Sequence, residues 1–278
     1  DGDKNNMKWI IADAGTNYEI GSFDGTKWTG SGQKDKNGRA LKFDFGDSCY
    51  AAQVFNQGPQ GRVVHVGWLR SKKTGFRPFL EAGMPFTQQM SIPAEITLKT
   101  TPDGIRMYRN PVKEIAKLYT KTDLFENLSL KEANTKLASL NPELIDMTVE
   151  FTPQGNLSLD IRGLKVNYDD TQKVFTYNNS VRIKGEKAAM LALPAAKQKK
   201  YRDNGVRTIP APAVNGKVKL RLLVDRASLE LFVNDGQAAA SFVVVPDAKN
   251  RSMNIQADSK LKINSLVVNE LGSSWPKQ

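Results

Sequence analysis

The stretch Lys219–Gly236, KLRLLVDRASLELFVNDG, constrains the fold of this chain more than any other. Apolar residues fall at every second position, first Leu220, Leu222 and Val224, then Leu229, Leu231 and Val233. A period of two places them on one face of a strand. Asp225-Arg226 separates the two runs, and Asn234-Asp235-Gly236 follows the second. Asp-Gly after a strand supplies the positive φ that a hairpin turn needs. The stretch therefore reads as two half-buried antiparallel strands with a further turn behind them.

The rest of the chain repeats that signal. Met7–Ala12, Tyr18–Phe23, Tyr50–Phe55 and Arg62–Leu69 are short runs rich in β-formers, and Gly, Asn and Asp clusters separate them. Glu95–Lys99 and Ile105–Tyr108 flank Pro102-Asp103-Gly104, where Pro presets φ and Gly tolerates its positive values. Pro111–Tyr119 breaks the pattern and fits one helical or irregular turn. The segment 119–140 reads as a linker with one helical stretch. Strands resume from Leu144, at Ile145–Phe151, Leu157–Ile161, Leu164–Tyr168 and Lys173–Tyr177, and continue after the hairpin to Val268. Short strands at this spacing predict an all-β chain built as a propeller, barrel or sandwich, with two packed sheets at the C-terminal end.

Composition removes several alternatives. Of 278 residues, 40% are apolar and 25% charged, which is ordinary for a globular protein. No apolar run approaches the ~18 residues of a membrane-spanning helix. The net charge of +11 invites a nucleic-acid reading, but the basic residues are dispersed and only Lys197–Arg202 is dense, so no nucleic-acid partner is expected. Cys49 is the only cysteine and His65 the only histidine, so no intrachain disulfide, thiolate metal cluster or paired-histidine metal site can form within the chain. His65 lies in a strand pattern, RVVHVGW, and no G-x-S-x-G elbow supports a triad on it.

Several blocks carry a family resemblance. They are Tyr18–Gly25 (YEIGSFDG), Phe45–Phe55 (FGDSCYAAQVF), Arg62–Trp68 (RVVHVGW), Met90–Leu98 (MSIPAEITL), Asp103–Ile115 (DGIRMYRNPVKEI) and the hairpin VDRASLELFVNDG. In this order they resemble glycoside hydrolase family 32, the β-fructofuranosidases. The resemblance implies a partial five-bladed β-propeller over 1–118 (the end of blade three to blade five), a linker over 119–140 and a C-terminal β-sandwich over 141–278. It also implies retaining hydrolysis of fructans or sucrose by a carboxylate nucleophile and a carboxylic acid about 5 Å apart, without metal or cofactor. The family's W-M-N-D, R-D-P and E-C motifs do not occur in this chain. Asp1-Gly2-Asp3-Lys4 resembles the stretch just past the acid/base, so no catalytic residue carries over, and the chain is expected to be inactive alone.

Asp44, Asp47 and Glu95 lie in matching blocks but hold no catalytic position. By resemblance, Asp47, Tyr50 and Trp68 are the candidate substrate-binding residues. Ala94 stands where the family has Arg in P-R-E-L. Two and a half blades would leave apolar end faces open, which implies self-association or a partner carrying the missing propeller half. The resemblance places the protein in the periplasm or outside the cell. The runner-up reading is a non-catalytic fructan-binding module using exposed aromatics, with Tyr168, Tyr177, Tyr201 and Trp275 as candidates for stacking on sugar faces.

Overall fold

The computed structural model describes residues 7–70, 77–86, 88–179, 191–198, 205–258 and 261–274. The fold is all-β, with a four-stranded and a five-stranded sheet in the first 111 residues and a six-stranded and a five-stranded sheet after them. The first sheet joins β1 (Trp9–Ala12), β2 (Asn17–Phe23), β3 (Trp28–Gly30) and β4 (Leu41–Lys42), with β2 at its centre. The second joins β5 (Cys49–Phe55), β6 (Val64–Leu69), β7 (Gln89–Met90), β8 (Ala94–Thr101) and β9 (Gly104–Pro111). A short helix, α1 (Arg77–Glu81), brings Phe79 into the core between them, beside Tyr18, Ile20, Phe43, Leu69 and Met107. The Tyr18 hydroxyl accepts from the Met107 amide at 3.0 Å and ties the two sheets together. The break expected after Pro111 is a 3-10 helix over Lys113–Leu118.

The segment expected to be a linker belongs to the following fold. Tyr119–Ser129 is an eleven-residue strand, β10, and Leu130–Ala138 a helix, α2. Ser129 and Glu132 close α2's start with a reciprocal capping box. Ala133 and Leu137 enter the main core, and the Asn134 carboxamide exchanges two 2.8 Å hydrogen bonds with the backbone of Ile255. Asn134 thereby covers polar groups that an edge strand would otherwise present to solvent.

Ten further strands complete this half: β11 (Ile145–Phe151), β12 (Leu157–Ile161), β13 (Leu164–Asp169), β14 (Val174–Asn178), β15 (Val206–Pro210), β16 (Val218–Val224), β17 (Ser228–Val233), β18 (Ala238–Val243), β19 (Met253–Ala257) and β20 (Lys262–Leu271), the sheet partner of β10. They form a six-stranded sheet, β10-β20-β11-β16-β17-β18, and a five-stranded sheet, β15-β14-β13-β12-β19, all antiparallel. Their inner faces interdigitate in one core that includes Phe151, Tyr168, Phe175, Leu231 and Phe242. This is a β-sandwich.

The defining hairpin is present as β16 and β17, paired Leu220↔Val233 to Val224↔Leu229. Asn234, Asp235 and Gly236 all take positive φ in the turn after it. The expectation of half-buried strands is corrected: every residue of β17 and β18 is buried. One face, with Leu229, Leu231, Ala240 and Phe242, meets the sandwich core. The other carries Glu230, Phe232, Ala239 and Ser241, and lies against the N-terminal half.

That seam is built from backbone as much as side chains. Phe45 and Ser48 donate amides to the carbonyls of Ala239 and Ser241 at 2.8 and 3.2 Å, so the loop 44–48 covers the edge of β18. Gly46 allows this approach, since a Cβ there would lie 2.2 Å from the Ser241 carbonyl oxygen. Arg109 of β9 then reaches across. Its Nη2 donates to Asp44 Oδ2 at 2.6 Å and Ser241 Oγ at 3.1 Å, and its guanidinium lies 5.6 Å from the Phe232 ring centre. Ser241 Oγ also meets Glu230 Oε2 at 3.2 Å, while Glu230 Oε1 accepts the Ile92 amide at 2.7 Å. Asp44, Arg109 and Glu230 are at most 1% exposed.

Candidate functional site

Two of the three sequence-predicted site residues meet on the second sheet. Tyr50 of β5 and Trp68 of β6 are direct cross-strand partners, with ring centres 6.1 Å apart in an edge-on arrangement. The register slips between Tyr50 and Gln53, and Ala51 takes φ 47° there. A bulge of this kind re-aims the side chains beside it. Trp68 Nε1 donates to Gln88 Oε1 at 2.5 Å, which fixes the indole.

Arg70 completes the cluster and was missed by the sequence reading. Its guanidinium carbon lies 3.7 Å from the Tyr50 ring centre and 5.8 Å from that of Trp68. A cation over an aromatic face is stabilised by the ring's quadrupole. The signal was in the spacing, since Arg70 follows Trp68 by two and shares its face of the strand. The arrangement offers an apolar wall, a fixed carboxamide and a charged donor side by side, which suits a hydroxyl-rich ligand.

Asp47 sits elsewhere. Its side chain is 4% exposed and lies in the seam, accepting from Asn179 Nδ2 at 3.2 Å and Ser48 Oγ at 2.9 Å, with Arg207 Nη2 at 4.0 Å. Its described contacts therefore hold the two halves together. Tyr168 and Tyr177 point into the sandwich core, at 1% and 5% exposure, so neither stacks on a sugar. Tyr201 and Trp275 lie outside the described residues.

Two carboxylate pairs converge elsewhere in the molecule. Glu95 and Glu114 both clamp Arg62, at 2.9 and 2.6 Å. Hydrogen bonding to Arg62 holds the Glu114 carboxyl down at about 2. Asp44 and Glu230 share Ser241 in the seam. Burial raises both, Glu230 to about 7. His65 is buried against Phe43, ring centres 5.0 Å apart, and burial holds it down at about 3. Its ring nitrogens have no hydrogen-bond partner among the described residues. Cys49 is a buried free thiol pushed up to about 12, again by burial. Among the described residues, no group of three or more His, Cys, Asp or Glu could hold a metal ion.

Comparison with known proteins matches both halves. Residues 5–111 match the family model "Glycosyl hydrolases family 32 N-terminal domain", and residues 114–270 match "Glycosyl hydrolases family 32 C terminal". The chain is 27% identical to a levanase of Bacillus subtilis (strain 168) over 99% of its own length and 42% of that protein. It is 30% identical to a levanase of Bacillus sp. (strain L7) over 86% of its length and 26% of that protein. The fold is similar to the crystal structure of exo-inulinase from Aspergillus awamori, with TM-score 0.72 and 19% identity, over 98% of this chain and 55% of that one. The chain thus spans about half or less of these relatives. It belongs to glycosyl hydrolase family 32.

Proposed function

We propose that this member of glycosyl hydrolase family 32 is the closing part of a retaining β-fructosidase for fructans or sucrose, and that it cleaves neither by itself. In this reading residues 1–118 are the end of blade three to blade five of a five-bladed propeller. The strand β10 and the helix α2 join the sandwich that follows. Tyr50, Trp68 and Arg70 wall part of the fructose pocket, and Asp47 keeps the sandwich seated beside it. The protein acts outside the cytoplasm, where polymeric fructan is met.

One observation carries the claim of inactivity. A retaining glycosidase needs two accessible carboxyl groups about 5 Å apart, one of them protonated near neutral pH. The pair on Arg62 is held by that guanidinium, and Glu114 at about 2 stays ionised and cannot serve as the acid. The pair on Ser241 is sealed, with Asp44 and Glu230 each 0% exposed. Neither pair can take up a sugar.

The N-terminal half also has an open apolar face. Trp9 and Ile11 of β1 are each 51% exposed, and Trp9 packs edge-on against Phe23 at 5.6 Å. In a closed propeller the neighbouring blade covers such a face. The partner in this reading is a polypeptide carrying the remaining blades, or a second copy of the chain. The test is incubation of the purified protein with levan, inulin and sucrose, with reducing sugar as the readout. No release above the buffer blank is expected. Release proportional to protein overturns the proposal and makes Glu95 and Glu114 the first residues to replace.

A further inference from the structure

We propose a second carbohydrate-binding site, on the outer face of the five-stranded sheet, that takes a neutral oligosaccharide laid across the strands. The inner residues of this sheet, such as Leu159, Val166, Phe175 and Ile255, fill the sandwich core. On the other face one row of residues is in perfect register. Thr208 pairs with Thr176, Thr176 with Asn167, Asn167 with Ser158, and Ser158 with Gln256. All five strands contribute one residue each. At roughly 4.8 Å per strand the row runs about 19 Å.

The row's chemistry selects the ligand. It holds three hydroxyls and two carboxamides, each able both to donate and to accept, and no charge. None of the five side chains makes a hydrogen bond to another described residue. Four of them line a depression of about 560 Å³, with Asn156 and Asp258 at its margin. That volume lies within the usual range for small-ligand sites, roughly 300–1,000 Å³.

The floor of the depression carries the strongest sign. Ser158 Oγ is fully buried with no hydrogen-bond partner. A buried hydroxyl without a partner is destabilising, and native structures rarely keep one without a use. A polar outer face is ordinary for an antiparallel sheet, and along this row Thr208 and Gln256 are exposed while Thr176, Asn167 and Ser158 are half-buried; what is not ordinary is the Ser158 hydroxyl shut from solvent beneath them. An apolar partner surface has nothing to bury against in this row, and the carboxylates of Asp169 and Asp258 beside it disfavour a polyanion. A sugar chain supplies hydroxyls that donate and accept in turn, matching both amides and hydroxyls.

The site is separate from the Tyr50–Trp68–Arg70 cluster and rests on the proposed function only for the sugar's identity as a fructan. Without an aromatic platform its binding is weak, in the millimolar range, and useful for holding polymer near the protein.

The test is native affinity electrophoresis of the full chain in gels containing levan, inulin or dextran. The variants are N167A/Q256A, S158A and W68A, with circular dichroism and thermal melts as fold controls. Levan or inulin is expected to retard the wild type, and N167A/Q256A at least fivefold less, while W68A loses only the share contributed by the Tyr50–Trp68–Arg70 cluster and keeps the rest. S158A is expected to lose retardation while its Tm rises by roughly 2–4 °C, since the unpaired hydroxyl is gone. Retardation by dextran alone, lost in the same variants, supports the site and overturns its assignment to fructan. No retardation in any gel, or retardation lost in W68A and kept in N167A/Q256A, overturns the site.

Discussion

The two halves of this chain are built from similar strands but finish their cores differently. In the sandwich, β17 and β18 bury all twelve of their residues and β11 buries five of seven, because two sheets close on each other and the N-terminal half covers a third face. In the N-terminal half, β1 buries none of its four residues, and β5 ends in exposed Val54 and Phe55. A sandwich is complete with two layers, whereas a propeller blade completes its core only with its neighbours. The N-terminal half is therefore expected to borrow stability from the sandwich through the seam.

The seam is the place to break that dependence, and Arg109 is its centre. Arg109→Met keeps much of the side chain's bulk but leaves Asp44 and Glu230 buried without a cation. Removing one partner of a buried ion pair costs roughly 3–5 kcal/mol. Because Arg109 lies on β9 and its partners Asp44 and Ser241 lie on both sides of the seam, the loss falls mainly on the N-terminal half. Urea unfolding should split into an early N-terminal transition, followed by the fluorescence of Trp9, Trp28 and Trp68 in the first half, and a later sandwich transition, followed by far-ultraviolet circular dichroism. A single cooperative transition at unchanged midpoint would show that the halves do not depend on this contact.

Acidification sharpens the comparison, because the halves respond with opposite sign. Glu230 in the sandwich has its carboxyl raised by burial from 4.5 to about 7. The native state holds a proton that the unfolded chain releases, so its contribution is complete below pH 4.5 and lost as pH rises through 7. That is roughly 3 kcal/mol across the window. His65 in the N-terminal half is held down from 6.5 to about 3. Here the unfolded chain takes up the proton first, so stability falls as pH drops below 6.5, by roughly 2 kcal/mol at pH 5. The groups facing Glu230 are Arg109, Asp44, Ser241 and the Ile92 amide; those facing His65 are Phe43 and the field of Arg109. In the wild type the two terms nearly cancel between pH 7 and 5. Glu230→Gln should lose about 2 kcal/mol on acidification over that range. His65→Phe should gain a similar amount. Denaturant midpoints at the two pH values measure both, and parallel curves for the two variants would refute the assignment.

Much of this architecture was legible in the sequence, and the parts that were not share a cause. The hairpin was readable because Leu220, Leu222, Val224 and their counterparts alternate, and because Asn234-Asp235-Gly236 has one conformational outcome. Its second buried face was not, since Ser228 and Glu230 look like solvent positions until Arg109 and Ile92 arrive from more than a hundred residues away. The strand β10 was missed because it is an edge strand with most residues exposed, so Leu124 and Phe125 sit side by side without alternation. At the candidate site the Tyr50–Trp68 pair could be anticipated from matching blocks. The placement of Asp47 beside Asn179 and Arg207 could not, because no local pattern encodes a contact across 130 residues.

The smallest effect tests whether the sandwich is indifferent to its neighbour. Ser129 caps α2, accepting from the Glu132 amide at 3.3 Å, while the Glu132 carboxylate takes the Ser129 amide at 2.9 Å. Ser129→Ala removes half of the capping box and should cost about 1 kcal/mol. The cap lies away from the seam in the fold, since α2 packs on β19 through Asn134 and β19 is the edge opposite β15, the strand that contacts β18. The variant should therefore lower the midpoint of the late, sandwich transition in the Arg109→Met background and leave the early one in place. If the early transition moved as well, stability would be shared across the whole chain, and the unequal cores of the two halves would not translate into unequal folding units.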